Sequence, residues 1–325
     1  MKDEIVHWGI IGAGSIAKKF ATDLITIPNA KLYAIASRTL VKAKNFGETF
    51  QADVAYGDYK ELVLDPNVDA VYIATPHSFH KEHTMLCLNH HIPVLCEKPF
   101  AMNLEEVEEM IQLARKKETL LMEAMWTIFL PHFRYALDLI DKQHFGALIK
   151  LEADFGFQPE YNERSRLFDK QLGGGSLLDI GIYPVFAALS SLGSPEHIEA
   201  KAEFFPTGVD SECDIQFHYK NALAKLKSTF KKETYTEAIF HCKDGIIKIN
   251  GRFHEPSSIS LIDHNGNKEL KTFDNNTLGY SYEIEHFNQL IRQGKTESDI
   301  MTFEKSIQLI STLDKVRQCI GLEYK

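Results

Sequence analysis

The chain has 325 residues, 44% of them hydrophobic and 25% charged, which is the make-up of a globular protein with apolar sequence for two domains or one large one. Acidic residues outnumber basic ones by 45 to 36, a net charge of −9, and no basic run interrupts that bias, which argues against a nucleic-acid partner. The five cysteines are scattered without a Cys-x-x-Cys pair, the first residues lack a signal-peptide layout, and no stretch approaches the ~20 apolar residues of a membrane span. A reducing cytoplasm and no membrane partner are therefore expected.

Two textures alternate over residues 1–125. Short β-branched runs (EIVHWGII, KLYAIAS, DAVYIAT, IPVLCEK, TLLMEAM) read as strands, and the stretches SIAKKFATDLI, LVKAKNFGETF, KEHTMLCLNH and LEEVEEMIQLARKK between them carry helical spacing. Strands this continuously apolar belong to a parallel sheet covered on both faces, and their alternation with helices signals βαβ units.

The first strand runs into Gly12-Ala13-Gly14-Ser15-Ile16-Ala17 and then into a helix. This is G-x-G-x-x-A, the alanine variant of the dinucleotide fingerprint, in its proper strand–turn–helix context. Gly12 allows the tight turn, Gly14 the approach of a pyrophosphate, and Ala17 close helix–strand packing, with phosphate on the free N–H groups of the helix start at Ser15 and Ile16. The spacing predicts a Rossmann-type doubly wound sheet. An NAD site places an acid at the end of the second strand; this chain has Ser37 and Arg38 there, with Lys42 one turn on. An arginine fork suits a 2′-phosphate, so NADP(H) is expected in preference to NAD(H), the alternative being a solvent-facing arginine. Thr75, Pro76 and His77 follow the DAVYIAT strand, at the carboxyl ends where ligands bind in such sheets. His77, His80 and His83 are spaced i, i+3, i+6 with no cysteine nearby, which favours packing against a cofactor over a metal site.

The texture changes near residue 125, dividing the chain into 1–125 and 126–325. HFRYALDLIDKQ reads as a helix, ALIKLEADFGFQ as a half-exposed strand, and GGGSLLDIGIYPVFAALSSLG as a helix opened by glycines. Seven further strands follow without helices between them: EHIEAKAEFFP, CDIQFHY, ALAKLKSTF, TEAIFHC, GIIKIN, SSISLID and KELKTF. They predict a large, mainly antiparallel open sheet in an α+β domain, closed by the helices YEIEHFNQLIRQG and TFEKSIQLISTLDKVRQCI. Phe155 and Phe157, two apart on a strand, share a face that either lines a pocket or packs on a helix.

Taken in order, the fingerprint, ATPHSFH, Glu97-Lys98-Pro99, MEAMWT and GGGSLLDIGIYP resemble the glucose-fructose oxidoreductase, inositol dehydrogenase and MocA family over essentially the whole chain, in particular its branch of dimeric dihydrodiol dehydrogenases and NADP-dependent D-xylose dehydrogenases. The resemblance implies a Rossmann domain over 1–125 and a substrate-binding and dimerisation domain over 126–325. It also implies a Lys98-Pro99 peptide that is often cis, a homodimer, and oxidation of a CH–OH group in a sugar, polyol or trans-dihydrodiol, or the reverse reduction. By the same resemblance Gly12, Gly14, Ser15, Ile16, Ser37, Arg38, Thr75, Pro76, His77, His80, Glu97, Lys98 and Trp126 hold the cofactor, and Trp126 with Phe155 contacts the substrate. The branch reads WTRFFP where this chain reads WTIFLP, so Ile128 replaces an arginine.

Lys98, Asp179 and Tyr183 are the expected catalytic residues. A tyrosine of ordinary pKa near 10 is protonated at neutral pH. A lysine cation about 4 Å away contributes about 4 kcal/mol at an effective dielectric near 20, at most roughly three pKa units, enough to make the tyrosine a working base. Asp179, four residues before Tyr183 on one helix, would share its face and hold the lysine or the substrate hydroxyl. The competing expectation is a dinucleotide-binding metabolite sensor or regulator without turnover, against which the retained Lys98 and Tyr183 speak.

Overall fold

The five apolar runs of the first part form one sheet. In a computed structural model that describes residues 5–324, strands β1 (Val6–Ile11), β2 (Ala30–Ala36), β4 (Ala70–Ile73), β5 (Val94–Glu97) and β6 (Leu121–Ala124) are joined by a short β3 (Val54–Tyr56). Their order is β3-β2-β1-β4-β5-β6 and every pair is parallel. The order reverses between β1 and β4, the switch point of a doubly wound sheet. All residues of β4 and β5 are buried, as a sheet covered on both faces requires. β3 escapes the sequence reading because three half-buried residues carry no periodicity. Helices α1 (Ser15–Leu24), α2 (Leu40–Phe50), α3 (Tyr59–Val63), α4 (His80–Asn89) and α5 (Leu104–Lys117) alternate with the strands. α5 has a complete set of end signals: Asn103 accepts from the Glu106 N–H at 2.9 Å, acids fill its first turn, and Arg115, Lys116 and Lys117 fill its last.

The chain divides into two units. The first holds the residues up to Trp126 together with Asn276–Ile307. The returning segment, which sequence texture groups with 126–325, carries α8 (Ser281–Arg292) and the start of α9 (Phe303–Ile320). Its attachment is polar and specific. The buried carboxylate of Asp23 in α1 accepts from the backbone N–H groups of Leu278 (2.8 Å), Tyr280 (2.8 Å) and Ser281 (3.2 Å), satisfying the orphan donors at the start of α8. Trp8 in β1 donates its indole N–H to Asn288 at 3.1 Å.

The second unit, Thr127–Asn275 with the chain from Gln308 onward, is built on an eight-stranded sheet. Its strands are β7 (Leu148–Gly156), β8 (His197–Phe204), β9 (Asp210–His218), β10 (Leu223–Thr229), β11 (Ala238–Cys242), β12 (Gly245–Ile249), β13 (Ile259–Asp263) and β14 (Lys268–Lys271), in the order β14-β13-β12-β11-β7-β10-β9-β8. All eight runs read from the sequence are present, and all pairs are antiparallel except β7 with β10. A parallel pair needs a long crossover. The segment after β7 supplies it with α7 (Ile182–Leu192), which packs on β7 and β10 together with the preceding turn, while α6 (Pro131–Asp141) packs on α7 and β12. The opposite face carries the ion pairs Lys150–Glu152 at 2.7 Å and Lys227–Asp214 at 2.9 Å, and a His241–Glu152 hydrogen bond of 2.8 Å.

The run Lys170–Leu192 is, contrary to the expectation from sequence, long and apolar enough to cross a membrane by length and composition. Of its most apolar window 94% is buried inside the protein, so its hydrophobicity is that of a core element.

Candidate active site

Gly12 closes β1 with φ +103°, in the region that favours glycine, and an added Cβ would stand 2.8 Å from the carbonyl oxygen of Ala74 in the neighbouring strand's loop. Gly14 caps α1 without a side chain, the first turn of α1 holds no acid, and Gly14 and Ser15 are exposed while Ala17 is fully buried. A Cβ on Gly14 would meet only the Ala74 oxygen, at 4.0 Å. Open N–H groups, a positive helix end and clear space above Gly14 fit a pyrophosphate.

At the end of β2, Ser37 is buried and Arg38 is exposed. Arg38 lines a cavity of about 240 Å³ with Tyr59, Thr75, Pro76, Phe79, Glu82 and His83. Burial raises the Tyr59 hydroxyl pKa, and the Arg38 charge opposes the rise. His83 holds the Thr75 side chain (3.0 Å) and packs edge-on to Tyr59. Its pKa is lowered by burial. The sequence reading missed Tyr59 and Phe79, since only tertiary packing brings α3 and the turn after β4 to the end of β2.

His77 and His80 are buried. His80 bridges two loops, one ring nitrogen 2.8 Å from the Pro99 carbonyl and the other 2.9 Å from that of Thr75. Two carbonyl acceptors favour a doubly protonated ring, yet burial and the neighbouring His77 outweigh them and hold its pKa at about 3. The peptide after β5 is therefore held from several sides. Glu97, buried, takes the Tyr72 hydroxyl of β4 on one oxygen and the Lys98 backbone N–H on the other at 3.1 Å. Lys98–Pro99 is cis, and the Phe100 N–H donates to Glu123 of β6 at 3.0 Å. Burial pushes the Glu123 carboxyl up to about 7, against the hydrogen bonds from Ser306 and Phe100. Lys98 itself is half-buried. The residues on either side of it are thus fixed by side chains from β4, α4 and β6. Trp126 is buried and stacks on Tyr280, with rings 4.3 Å apart at 17°. Among the described residues, no group of three or more His, Cys, Asp or Glu could hold a metal ion.

In the second unit the glycine-rich stretch is not one regular helix. Leu177–Gly181 forms a wider, π-helical turn that runs into α7, so Asp179 and Tyr183 are not related by the simple i, i+4 face expected from the sequence. Buried Asp210 of β9 sets this turn in place by accepting from the Leu177 N–H and the Ser176 hydroxyl, both at 2.7 Å. Gly175, at φ +118°, is required beside it: a Cβ would lie 2.2 Å from an Asp210 oxygen. Asp179 accepts from Arg166 at 2.9 Å, a partner in the loop QPEYNERSRLF that no spacing rule singles out.

Tyr183, buried in the first turn of α7, packs against aromatic rings of its own unit. Phe155 of β7 lies 5.9 Å away and His254 4.6 Å, and Phe155 and His254 stack at 4.2 Å. Phe157 turns instead toward Phe230, at 5.1 Å. His254 belongs to the β12–β13 loop, whose sequence GRFHEP gave no signal. That loop is tied down: Thr127 donates to the His254 carbonyl at 3.1 Å, and His132 contacts the Phe253 carbonyl at 2.9 Å. Ile128, where the resembling branch has arginine, is buried.

A doubly wound sheet with an open, glycine-lined helix start at its switch point, joined in one chain to a mainly antiparallel sheet, defines a nicotinamide-dinucleotide oxidoreductase of two-unit design. Residues 6–125 match the oxidoreductase family model with NAD-binding Rossmann fold, and residues 133–248 match the GFO/IDH/MocA C-terminal domain. The chain belongs to the GFO/IDH/MocA oxidoreductase family. It is 37% identical to a trans-1,2-dihydrobenzene-1,2-diol dehydrogenase of Xenopus tropicalis and 32% identical to the NADP(+)-dependent scyllo-inositol 2-dehydrogenase IolU of Bacillus subtilis, each match covering 98% of both chains. Among solved structures it is similar to a 3-ketoreductase from Actinomadura kijaniata in complex with NADP and TDP-benzene, with a TM-score of 0.88, 26% identity and 98% of each chain covered.

Proposed function

We propose that this protein is an NADP(H)-dependent dehydrogenase that oxidises a CH–OH group of a sugar, polyol or trans-dihydrodiol, or runs the reverse reduction. The observation that carries the reading is the tethering of Glu97–Phe100 by Tyr72, His80 and Glu123, which fixes a lysine at the end of a strand beside the switch point. The names of the dihydrodiol and inositol dehydrogenases among its relatives support the substrate class.

Bound at the glycine turn, NADP(H) supplies the hydride acceptor or donor. Gly12, Gly14, Ser15 and Ile16 hold its pyrophosphate. Arg38, flanked by Ser37, reads the 2′-phosphate, since no acid ends β2 to repel it. Thr75, Pro76, His77, His80, Glu97 and Trp126 shape the rest of that site. Tyr183 takes the substrate hydroxyl proton, and the cationic Lys98 favours its phenolate. Asp179, steadied by Arg166, orients the substrate hydroxyl, and Phe155 forms an apolar wall beside Tyr183. We further assign a homodimer formed through the open sheet face and a cytoplasmic location, in keeping with the five free cysteines.

Reduction of NADP⁺ and of NAD⁺ is measured side by side against D-xylose, D-glucose, other aldoses, inositols and a trans-dihydrodiol. Turnover with NADP⁺ on one of these is expected. Silence across the panel with NADP⁺ bound favours a metabolite sensor of the same fold. Sedimentation of the purified protein tests the dimer.

A further inference from the structure

Arg252 stands out in the β12–β13 loop. It is exposed, yet its backbone adopts φ +61°, a conformation that non-glycine residues keep only where their surroundings enforce it. Its side chain is held by Glu255, which receives the Arg252 guanidinium through two hydrogen bonds of 2.7 and 2.6 Å. The same carboxylate lies 3.5 Å from the His254 ring nitrogen. The Arg252 guanidinium sits 5.8 Å above the Phe155 ring, and His254 and Phe155 are the rings that pack on Tyr183. Burial alone would raise the Glu255 carboxyl, but the hydrogen bonds from Arg252 and His254 hold it far below the carboxylate range. The Phe155 ring is thus shared by the guanidinium and Tyr183, and a cation one ring away favours a tyrosinate over a tyrosine.

We propose that Arg252 is a positioning residue for Tyr183, a second cation that favours its phenolate form, and that Glu255 sets how much of that charge Tyr183 feels. The inference rests on the proposed role of Tyr183 as the proton acceptor, but its test does not need turnover. Within the unit, His254 packs on Tyr183, the Arg252–Glu255 pair lies next to His254 and Phe155, and the Arg166–Asp179 pair belongs to the turn before α7. β7 contributes the Phe155 ring.

The two members of the pair make opposite predictions. Arg252→Met removes the cation and leaves the Glu255 charge, so the Tyr183 pKa rises. Glu255→Gln leaves the cation uncompensated, so it falls. A purely structural role would make both variants lose the same bidentate contact and move Tyr183 in the same direction or not at all.

The test is a pH titration of the full chain labelled with ¹³C-tyrosine, in which the Tyr183 resonance among the 12 tyrosines is assigned by its loss in Tyr183→Phe. Because the pair is partly in water, shifts of about half to one pKa unit are expected, upward in Arg252→Met and downward in Glu255→Gln. Arg252→Lys, which keeps the cation, should stay near the wild-type value, and Arg252→Gln replaces Arg252→Met in the comparison with Glu255→Gln should the methionine variant fail to fold. Shifts of one sign in both variants, or none in either, overturn the proposal. On an active enzyme the rising limb of kcat against pH moves with the resonance, and Arg252→Met loses about three- to tenfold at pH values below that limb. Opposite NMR shifts in a protein without turnover would leave the coupling intact and remove the dehydrogenase reading.

Discussion

Lys98 and Tyr183 are held by different kinds of architecture. Lys98 follows the buried parallel strand β5, and Tyr72, His80 and Glu123, all buried side chains on regular elements, tie its neighbours Glu97, Pro99 and Phe100. Tyr183 opens a helix that follows a π-helical turn, and it packs against a loop whose one exposed arginine is in a left-handed conformation. The comparison teaches where rigidity comes from in each unit. In the first it comes from buried side chains of neighbouring strands and a helix that converge on the end of one strand. In the second it comes from individual polar contacts, such as Asp210 beneath Leu177 and the Arg252–Glu255 pair. Changes at the glycine turn and Arg38 of the first unit should therefore act on cofactor binding and stability, and changes at Lys98 and Tyr183 on turnover.

The largest effects test that division directly. Lys98→Met and Tyr183→Phe should each lower kcat by about 10²–10⁴-fold, the range of lost acid–base catalysis, while calorimetry finds NADP⁺ binding within a few-fold of wild type. Loss of binding in Tyr183→Phe would break the division. Next comes Gly12→Ala, where the φ of +103° and the 2.8 Å approach to Ala74 combine. The backbone strain alone costs about 1–3 kcal/mol, so a lower melting temperature and loss of NADP⁺ binding should appear together. Wild-type binding in this variant would mean that the turn is not the cofactor's seat.

Glu123 gives a pH-dependent test. Its folded pKa of about 7 lies above the unfolded value of 4.5, so the folded state holds the proton more tightly. This contribution to stability is full below pH 4.5 and is lost as pH rises toward 7. Glu123→Gln should thus be near neutral at pH 4 and stabilising at pH 8 by on the order of 1–3 kcal/mol, read from urea unfolding at both pH values. The same change at both would show that Glu123 does not titrate between the two pH values in the folded state. The smallest effect is expected at Arg38. Arg38→Ala should weaken NADP⁺ by about ten- to a hundredfold, the value of a charge-assisted bidentate contact, and leave NAD⁺ unchanged. Equal weakening of both cofactors would remove Arg38 as the phosphate reader.

How much of this was legible in the sequence follows the same division. Strand periodicity and the glycine turn put Gly12, Gly14 and Arg38 at strand ends, where a doubly wound sheet takes its ligand, while Lys98 was singled out by the resemblance carried by Glu97-Lys98-Pro99. The eight strands of the second sheet were equally readable from alternation. What the sequence hid was irregular or long-range: the three-residue β3, the return of 276–307 to the first unit through Asp23, and the π-helical turn that offsets Asp179 from Tyr183. The length of the apolar run Lys170–Leu192 is masked in the sequence because Asp179 interrupts it. Arg166, Arg252, His254 and Glu255 lie in loops with no period to detect, and they become visible only when folding brings them to Asp179 and Tyr183.

The most direct measurement is NADP⁺ reduction by wild type and by Tyr183→Phe, run together on the sugar, inositol and dihydrodiol panel with NADP⁺ binding checked in both. The account predicts turnover of at least one substrate by wild type, and its loss in a Tyr183→Phe protein that still binds NADP⁺. Equal turnover by the two proteins, or a silent wild type with NADP⁺ bound, would contradict it.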